Sequence, residues 1–137
     1  MGVCIHIGEM LARNARMYPD EVALIERVPA EGKRREITWR AFDEMANRFA
    51  NALMKRGVEN GDKVIHLMMN SIDWLIAYFG ILRTGAWVVP LNFRFTSEDI
   101  KYCVDVAEPN VMVFGPEFIE RVEAIKDDCP TISQWIF

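Results

Sequence analysis

No apolar run in this 137-residue sequence is long enough to cross a bilayer; the longest, residues 74–82, is roughly half the necessary length. No membrane span is expected, and the run reads instead as a helix buried inside protein. The first 13 residues lack a basic start followed by a sustained apolar stretch, so they do not form a secretory signal. Cysteine is scarce: Cys4, Cys103 and Cys129 are odd in number and widely spaced, which rules out a disulfide framework and a Cys-x-x-Cys zinc pattern and suits a reducing cytoplasm. Positive charge is also short. Sixteen Lys and Arg against twenty Asp and Glu leave a net charge of −4, and the single dense basic run, Lys33, Arg34 and Arg35, is too short to track a nucleic-acid backbone.

Glycines never cluster. Gly57 and Gly61 precede Lys63, but the spacing is wrong for a phosphate loop, and Val64 stands where a hydroxyl would be required. They read as a turn, and no dinucleotide fingerprint exists elsewhere. His6 and His66 are the two histidines; neither has a serine or cysteine motif beside it, and His66, in an apolar strand, reads as structural. No internal repeat or low-complexity linker is present.

What remains is a globular composition, 51% hydrophobic and 26% charged, at a length that suits one compact domain. Residues 7–18 read as an amphipathic surface helix stopped by Pro19. Residues 21–28 and 35–38 flank a polar tip containing Pro29, Glu31, Gly32 and Lys33, the pattern of a hairpin. Thr38 caps the clearest helix, whose apolar residues Phe42, Met45, Ala46, Phe49, Ala50 and Leu53 recur at helical spacing until Gly57. Residues 63–68 form a short apolar strand. Asn70 or Ser71 caps a helix that is apolar on nearly every side, which requires packing around most of its circumference, and Gly85 stops it. Residues 87–91 read as another buried strand. Thr96 and Asp99 approximate a capping box for a helix ending before Pro109. Residues 111–114 form a strand, Pro116 starts a helix with Phe118, Ile119, Val122 and Ile125 on one face, and Pro130 closes it before a last strand within residues 132–137.

Strand and helix therefore alternate from Lys63 onward, the signature of a mainly parallel α/β sheet covered by helices on both faces, with an N-terminal hairpin. Ligands of such sheets bind beyond the carboxyl ends of the strands, here residues 69–71, 92–96 and 115–117. The paired carboxylates Asp43 with Glu44 and Asp127 with Asp128 do not face a common point and read as solvated surface. Trp74, Tyr78, Phe79 and Trp87 read as core rather than as a pocket lining. Arg94, in a loop beyond a strand, is placed to meet an anion, with an ion pair to a nearby carboxylate the favoured reading.

The segment ITWRAFDEMANRFANAL, residues 37–53, resembles the first core motif of the adenylate-forming superfamily of acyl-CoA synthetases, AMP-binding ligases, adenylation domains and luciferases. Thr38, Asp43, Glu44, Ala46, Asn47, Arg48 and Ala50 fit it. Residues 57–62 are similar to the family's Gly-Val-x-x-Gly-Asp turn, and residues 85–92, within ILRTGAWVVPLN, resemble its second core motif. Ala41 stands where the family often has Glu, which removes half of a capping box; Thr84 replaces the usual Ala, a change read as tolerable at a surface helix end. Residues 92–100, NFRFTSEDI, are closer to the acyl-CoA and aryl-CoA ligase branch than to peptide-synthetase adenylation domains.

The resemblance implies that residues 1–137 are the N-terminal, incomplete portion of the large domain of an ATP-dependent carboxylic acid–CoA ligase, with no second domain. It implies ATP, magnesium and coenzyme A for the full-length enzyme, a carboxylic acid substrate, and helices able to present a homodimer surface. The family's pyrophosphate loop, catalytic lysine and ribose-holding acid lie beyond this segment, so no catalytic, cofactor-binding or metal-ligating residue is assigned within it, and the segment alone is expected to be inactive. Two rivals are a stand-alone, non-catalytic interaction module and an unrelated flavodoxin-like ligand-binding domain. The apolar end at Ile136 and Phe137, an edge that invites association, counts against the first; the second needs a hydroxyl-rich loop where Met69 and Asn70 stand.

Overall fold

The computed structural model describes residues 6–137; Cys4 lies outside them. Helix α1 (Ile7–Met17) leads into strands β1 (Val22–Val28) and β2 (Lys33–Thr38), an antiparallel hairpin whose tip turns through Gly32 at φ 62°. Then follow α2 (Trp39–Lys55), β3 (Lys63–Leu67), α3 (Ile72–Arg83), β4 (Trp87–Pro90), α4 (Ser97–Ala107), β5 (Val111–Phe114), α5 (Ile119–Glu123) and β6 (Gln134–Ile136). The last four strands form one parallel sheet in the order β4-β3-β5-β6.

Local chemistry accounts for the boundaries. The Thr38 hydroxyl accepts the Ala41 N–H at 3.2 Å, and the Ser71 hydroxyl accepts that of Trp74 at 3.0 Å. Thr96 and Asp99 complete a full capping box. Gly85, at φ 81°, takes the left-handed conformation that lets α3 turn into β4.

Alternation along the strands divides the core in two. Val64, Val111 and Val113 face α2 and α3, meeting Leu53 and Ile81, whereas Ile65, Leu67, Met112 and Phe114 face α4 and α5, meeting Ile100, Val104, Phe118 and Val122. A third cluster, Leu11, Ile37, Phe42, Ala46 and Ile72, joins α1 and the hairpin to the outer side of the α2–α3 pair.

Three expectations about burial and helix extent need correction. Strand β4 is not buried: it is the sheet edge, and Trp87 is 67% exposed rather than core. The segment after Pro116 is not one helix but a 3-10 turn, the short α5 and a second 3-10 turn, Lys126–Asp128, so the periodic face breaks and Ile119 is left 39% exposed. Thr84 is no surface residue. It is buried, donating its hydroxyl to the Ile81 carbonyl at 2.7 Å and accepting the Ala86 N–H at 3.2 Å, so it closes the end of α3.

The α2–α3 seam is the tightest packing in the fold. At Gly80 a side chain would bring a carbon within 2.7 Å of the Phe49 ring and 3.1 Å of the Ala46 carbonyl oxygen. One turn on, Arg83 donates to the Asp43 carboxylate at 2.5 Å, the Asp43 carbonyl at 2.8 Å and Asn47 Oδ1 at 2.8 Å. Asp43 is thus a partner of Arg83 rather than solvated surface, while Glu44 is exposed beside Arg48. With the two side chains only 14% and 24% exposed, removing Arg83 would strand the carboxylate at a cost of about 3 kcal/mol. Alanine at a helical glycine normally adds about 1 kcal/mol through propensity, but overpacking costs about 1–3 kcal/mol, and here one obstacle is backbone. Gly80→Ala should therefore lower stability by about 1 kcal/mol in urea unfolding; an increase would show that the helices are not in contact as described.

Candidate functional site at the carboxyl edge of the sheet

The chain leaves β3 through α3 to reach β4 on one side, then crosses back through α4 to β5 on the other. The strand order therefore reverses between β3 and β5, and a crevice for a ligand opens above their carboxyl ends. Residues 69–71, 92–96 and 115–117 lie along this edge, as the alternation predicts. At its floor the Gly115 N–H donates to the Leu67 carbonyl at 3.0 Å. A side chain at Gly115 would lie 2.7 Å from Glu117 Oε2 and 3.9 Å from the Met68 Cα.

Helix N-termini at such an edge are ready anion sites, unless the chain itself fills them. Here it does. Glu26 reaches across from β1 to accept the Ile72 N–H at 2.7 Å, and Ser71 takes that of Trp74. A carboxylate already sits where a phosphate would have to bind at α3. Arg35 of β2 adds an ion pair to Asp73 at 2.9 Å, so both strands of the hairpin are tied to the first turn of α3. At α4, Asp99 accepts the Thr96 N–H at 2.9 Å and the Thr96 hydroxyl at 2.8 Å, bonds that hold its carboxyl below the usual carboxylate range.

Residues 92–96 form a rigid loop. Asn92 Oδ1 accepts the Arg94 N–H at 2.9 Å, and the Asn92 carbonyl accepts that of Phe95 at 3.0 Å. From α5, Arg121 donates to the carbonyls of Phe93 and Phe95 at 2.8 and 3.1 Å, with its guanidinium 5.2 Å from the Phe118 ring centre. Phe93 and Phe95 anchor the loop in the core. The exposed side chain of Arg94 pairs with no carboxylate among the described residues; it lies 5.4 Å from the Phe93 ring centre instead. The favoured ion pair is thus absent, because the loop carboxylate, Asp99, is spent on Thr96.

Other candidates are not brought together. His66 is fully buried with neither ring nitrogen hydrogen-bonded, and burial lowers its pKa to about 4. Cys103 and Cys129 are free thiols, and burial pushes both upward, away from the thiolate a nucleophile needs. Asp127 and Asp128 are exposed. Trp74, Tyr78 and Phe79 are half-buried on α3. Among the described residues no three His, Cys, Asp or Glu side chains converge to hold a metal ion, and no helix is long and apolar enough to cross a membrane. A hollow of about 640 Å³ lies at the opposite end of the sheet between α1 and Arg83, whose charge Asp43 already meets. An apolar hollow of about 230 Å³ does lie at the carboxyl edge, lined by Phe49, Met68, Ile76, Val113 and Phe137 among others.

Sequence reasoning missed Glu26 and Arg121. Each acts on a partner more than 25 positions away, and nothing in local spacing marks it.

Residues 11–135 match the family model described as AMP-binding enzyme, and this chain belongs to that family. It is 31% identical over 133 residues to a medium/long-chain-fatty-acid–CoA/3-oxocholest-4-en-26-oate–CoA ligase of Mycobacterium marinum, covering 97% of this chain and 23% of the relative. Over 91 residues, 66% of this chain and 17% of the relative, it is 37% identical to a 3-hydroxybenzoate–CoA/4-hydroxybenzoate–CoA ligase of Thauera aromatica. The fold matches the inhibitor-bound N-terminal domain of FACL13 from Mycobacterium tuberculosis with a TM-score of 0.85 at 29% identity, over 95% of this chain and 32% of that one. The chain spans about a quarter of the length of the curated relatives it matches.

Replacing Arg121 with alanine should free residues 92–96, costing about 1–2 kcal/mol of local stability and speeding amide exchange at Arg94 and Phe95 roughly tenfold. Unchanged exchange there would mean that the loop holds itself.

Proposed function

We propose that this chain is the N-terminal scaffold segment of an ATP-dependent carboxylic acid–CoA ligase acting on acyl or aryl acids. The supporting observation is the family match over residues 11–135, together with relatives about four times as long that are fatty-acid and hydroxybenzoate CoA ligases. In the proposed reaction the acid's carboxylate oxygen attacks the α-phosphorus of ATP, expelling pyrophosphate and leaving an acyl adenylate. The coenzyme A thiol then attacks the acyl carbon, releasing AMP and the thioester. The enzyme would act in the cytoplasm, with coenzyme A, ATP and magnesium as its small-molecule partners.

This segment would hold none of the groups that stabilise charge in those steps. The N-termini of α2, α3 and α4 are capped by Thr38, by Glu26 with Ser71, and by Thr96, which disfavours a pyrophosphate there. Among the described residues no three His, Cys, Asp or Glu side chains converge where magnesium could bind. A cation it does present is Arg94, on a loop that Arg121 ties down, free to meet an anionic group of a substrate.

Acid-dependent exchange of pyrophosphate into ATP is the test. The native polypeptide carrying this N-terminus, with its intact mass taken from source cells, should be several-fold heavier than this chain and active. The 137-residue chain alone should show no exchange. A native chain ending at Phe137, or exchange by the short chain, would overturn the proposal. In the long form, Arg94→Ala should raise KM for one phosphate-bearing substrate about tenfold while leaving the fold intact.

A further inference from the structure

His66 is the one buried polar side chain in the described residues whose ring nitrogens both lack a hydrogen-bond partner. It stands in β3 beside Pro90 of β4 and Val113 of β5, with 0% of its surface exposed. Above it lie two aromatic rings of α3: Trp74, 4.6 Å away between ring centres, and Tyr78, 6.4 Å away, stacked on each other at 5.2 Å. The imidazole is thus packed as though it were apolar.

We propose that His66 is an acid-sensitive latch that holds the first two turns of α3 on the sheet only while its ring is neutral. A protonated ring would carry two donors and a charge into a place where no acceptor replaces water. The Trp74 ring would attract an imidazolium, but that attraction offsets only part of the lost hydration, because both nitrogens remain without an acceptor. No opposite charge is at hand. Tyr78 is the titratable group facing the ring; β4 and β5 carry no charged residue, and the two on α3, Asp73 and Arg83, are paired with Arg35 and Asp43. Burial accordingly lowers the His66 pKa from 6.5 to about 4. The unfolded chain then takes the proton first, so the stability that neutral His66 confers is complete above pH 6.5 and is lost as the pH falls towards 4.

The part released would be specific. Trp74 sits two residues from the Ile72 whose N–H Glu26 accepts and next to the Asp73 that Arg35 pairs, so lifting it would undock the hairpin and loosen residues 68–71 at the carboxyl edge. The opposite face, built on α4 and α5, belongs to a separate core cluster that does not include His66, Trp74 or Tyr78.

Three measurements on the 137-residue chain test this. In a His6→Ala variant, His66 gives the sole imidazole signal, and in the folded state it should stay neutral down to about pH 4; protonation near pH 6.5 would refute the latch. Between pH 7 and pH 5 the folding equilibrium constant should fall about 20-fold more in the parent than in His66→Leu. Amide exchange, corrected for its intrinsic pH dependence, should accelerate in residues 72–79 before α4. Equal losses in parent and variant, or simultaneous loosening of both faces, would overturn the proposal. If His66→Leu does not fold, the imidazole titration and the order of exchange decide it.

Discussion

The close approach of α2 and α3 is the contact on which the rest of the molecule depends. It needs small residues at the crossing, and Ala46 and Gly80 provide them, so that a backbone carbonyl and a ring can occupy space that a side chain would fill. Once the helices meet, Arg83 can reach Asp43 and Asn47 and fix their register. The inner side of the pair then carries Leu53 and Ile81 onto the sheet, and the outer side carries Phe42 and Ile72 to α1 and the hairpin. Three clusters of core are thereby joined through one seam.

That arrangement also sets what the carboxyl edge can do. Because the hairpin is seated on the outer side of α3, Glu26 and Arg35 fall at the first turn of that helix, and the Ile72 and Trp74 amides are used within the chain. The same holds at α4, where Thr96 and Asp99 satisfy each other. An edge whose α3 and α4 starts are tied by the chain's own side chains fits the proposed role of supporting neighbouring chemistry rather than binding triphosphate itself. Acyl transfer through an adenylate calls for mobile glycine and hydroxyl donors and a free cation, and among the described residues of the 92–96 loop Arg94 is a cation without an ion pair.

Much of the fold was legible in the sequence because its signals are local. Thr38, Ser71 and Thr96 mark helix starts through side chains that reach three residues ahead, and Gly85 marks a stop through its own backbone angle. Alternation from Lys63 onward identified the parallel sheet and the three loops at its carboxyl edge. The resemblance in residues 37–53 and 85–92 led to the family that the match over residues 11–135 shows. What stayed hidden depends on neighbours distant in sequence. Strand β4 reads as buried from Trp87, Val88 and Val89, but its place at the sheet edge follows from strand order, not composition. Asp43 looks like surface until Arg83 arrives from 40 positions away, and Arg94 looks paired until Asp99 is seen to cap Thr96. Thr84 looks like a surface substitution, yet its hydroxyl closes a buried helix end.

Titration of the isotopically labelled 137-residue chain with magnesium-ATP, followed by amide chemical shifts, tests the scaffold role most directly. No saturable shift at residues 68–71 or 115–118 is predicted up to millimolar nucleotide, with at most weak, salt-sensitive changes around Arg94. Saturable binding in the micromolar range centred on the N-termini of α3 or α4 would contradict it, since those amides are already bonded to Glu26, Ser71 and Thr96.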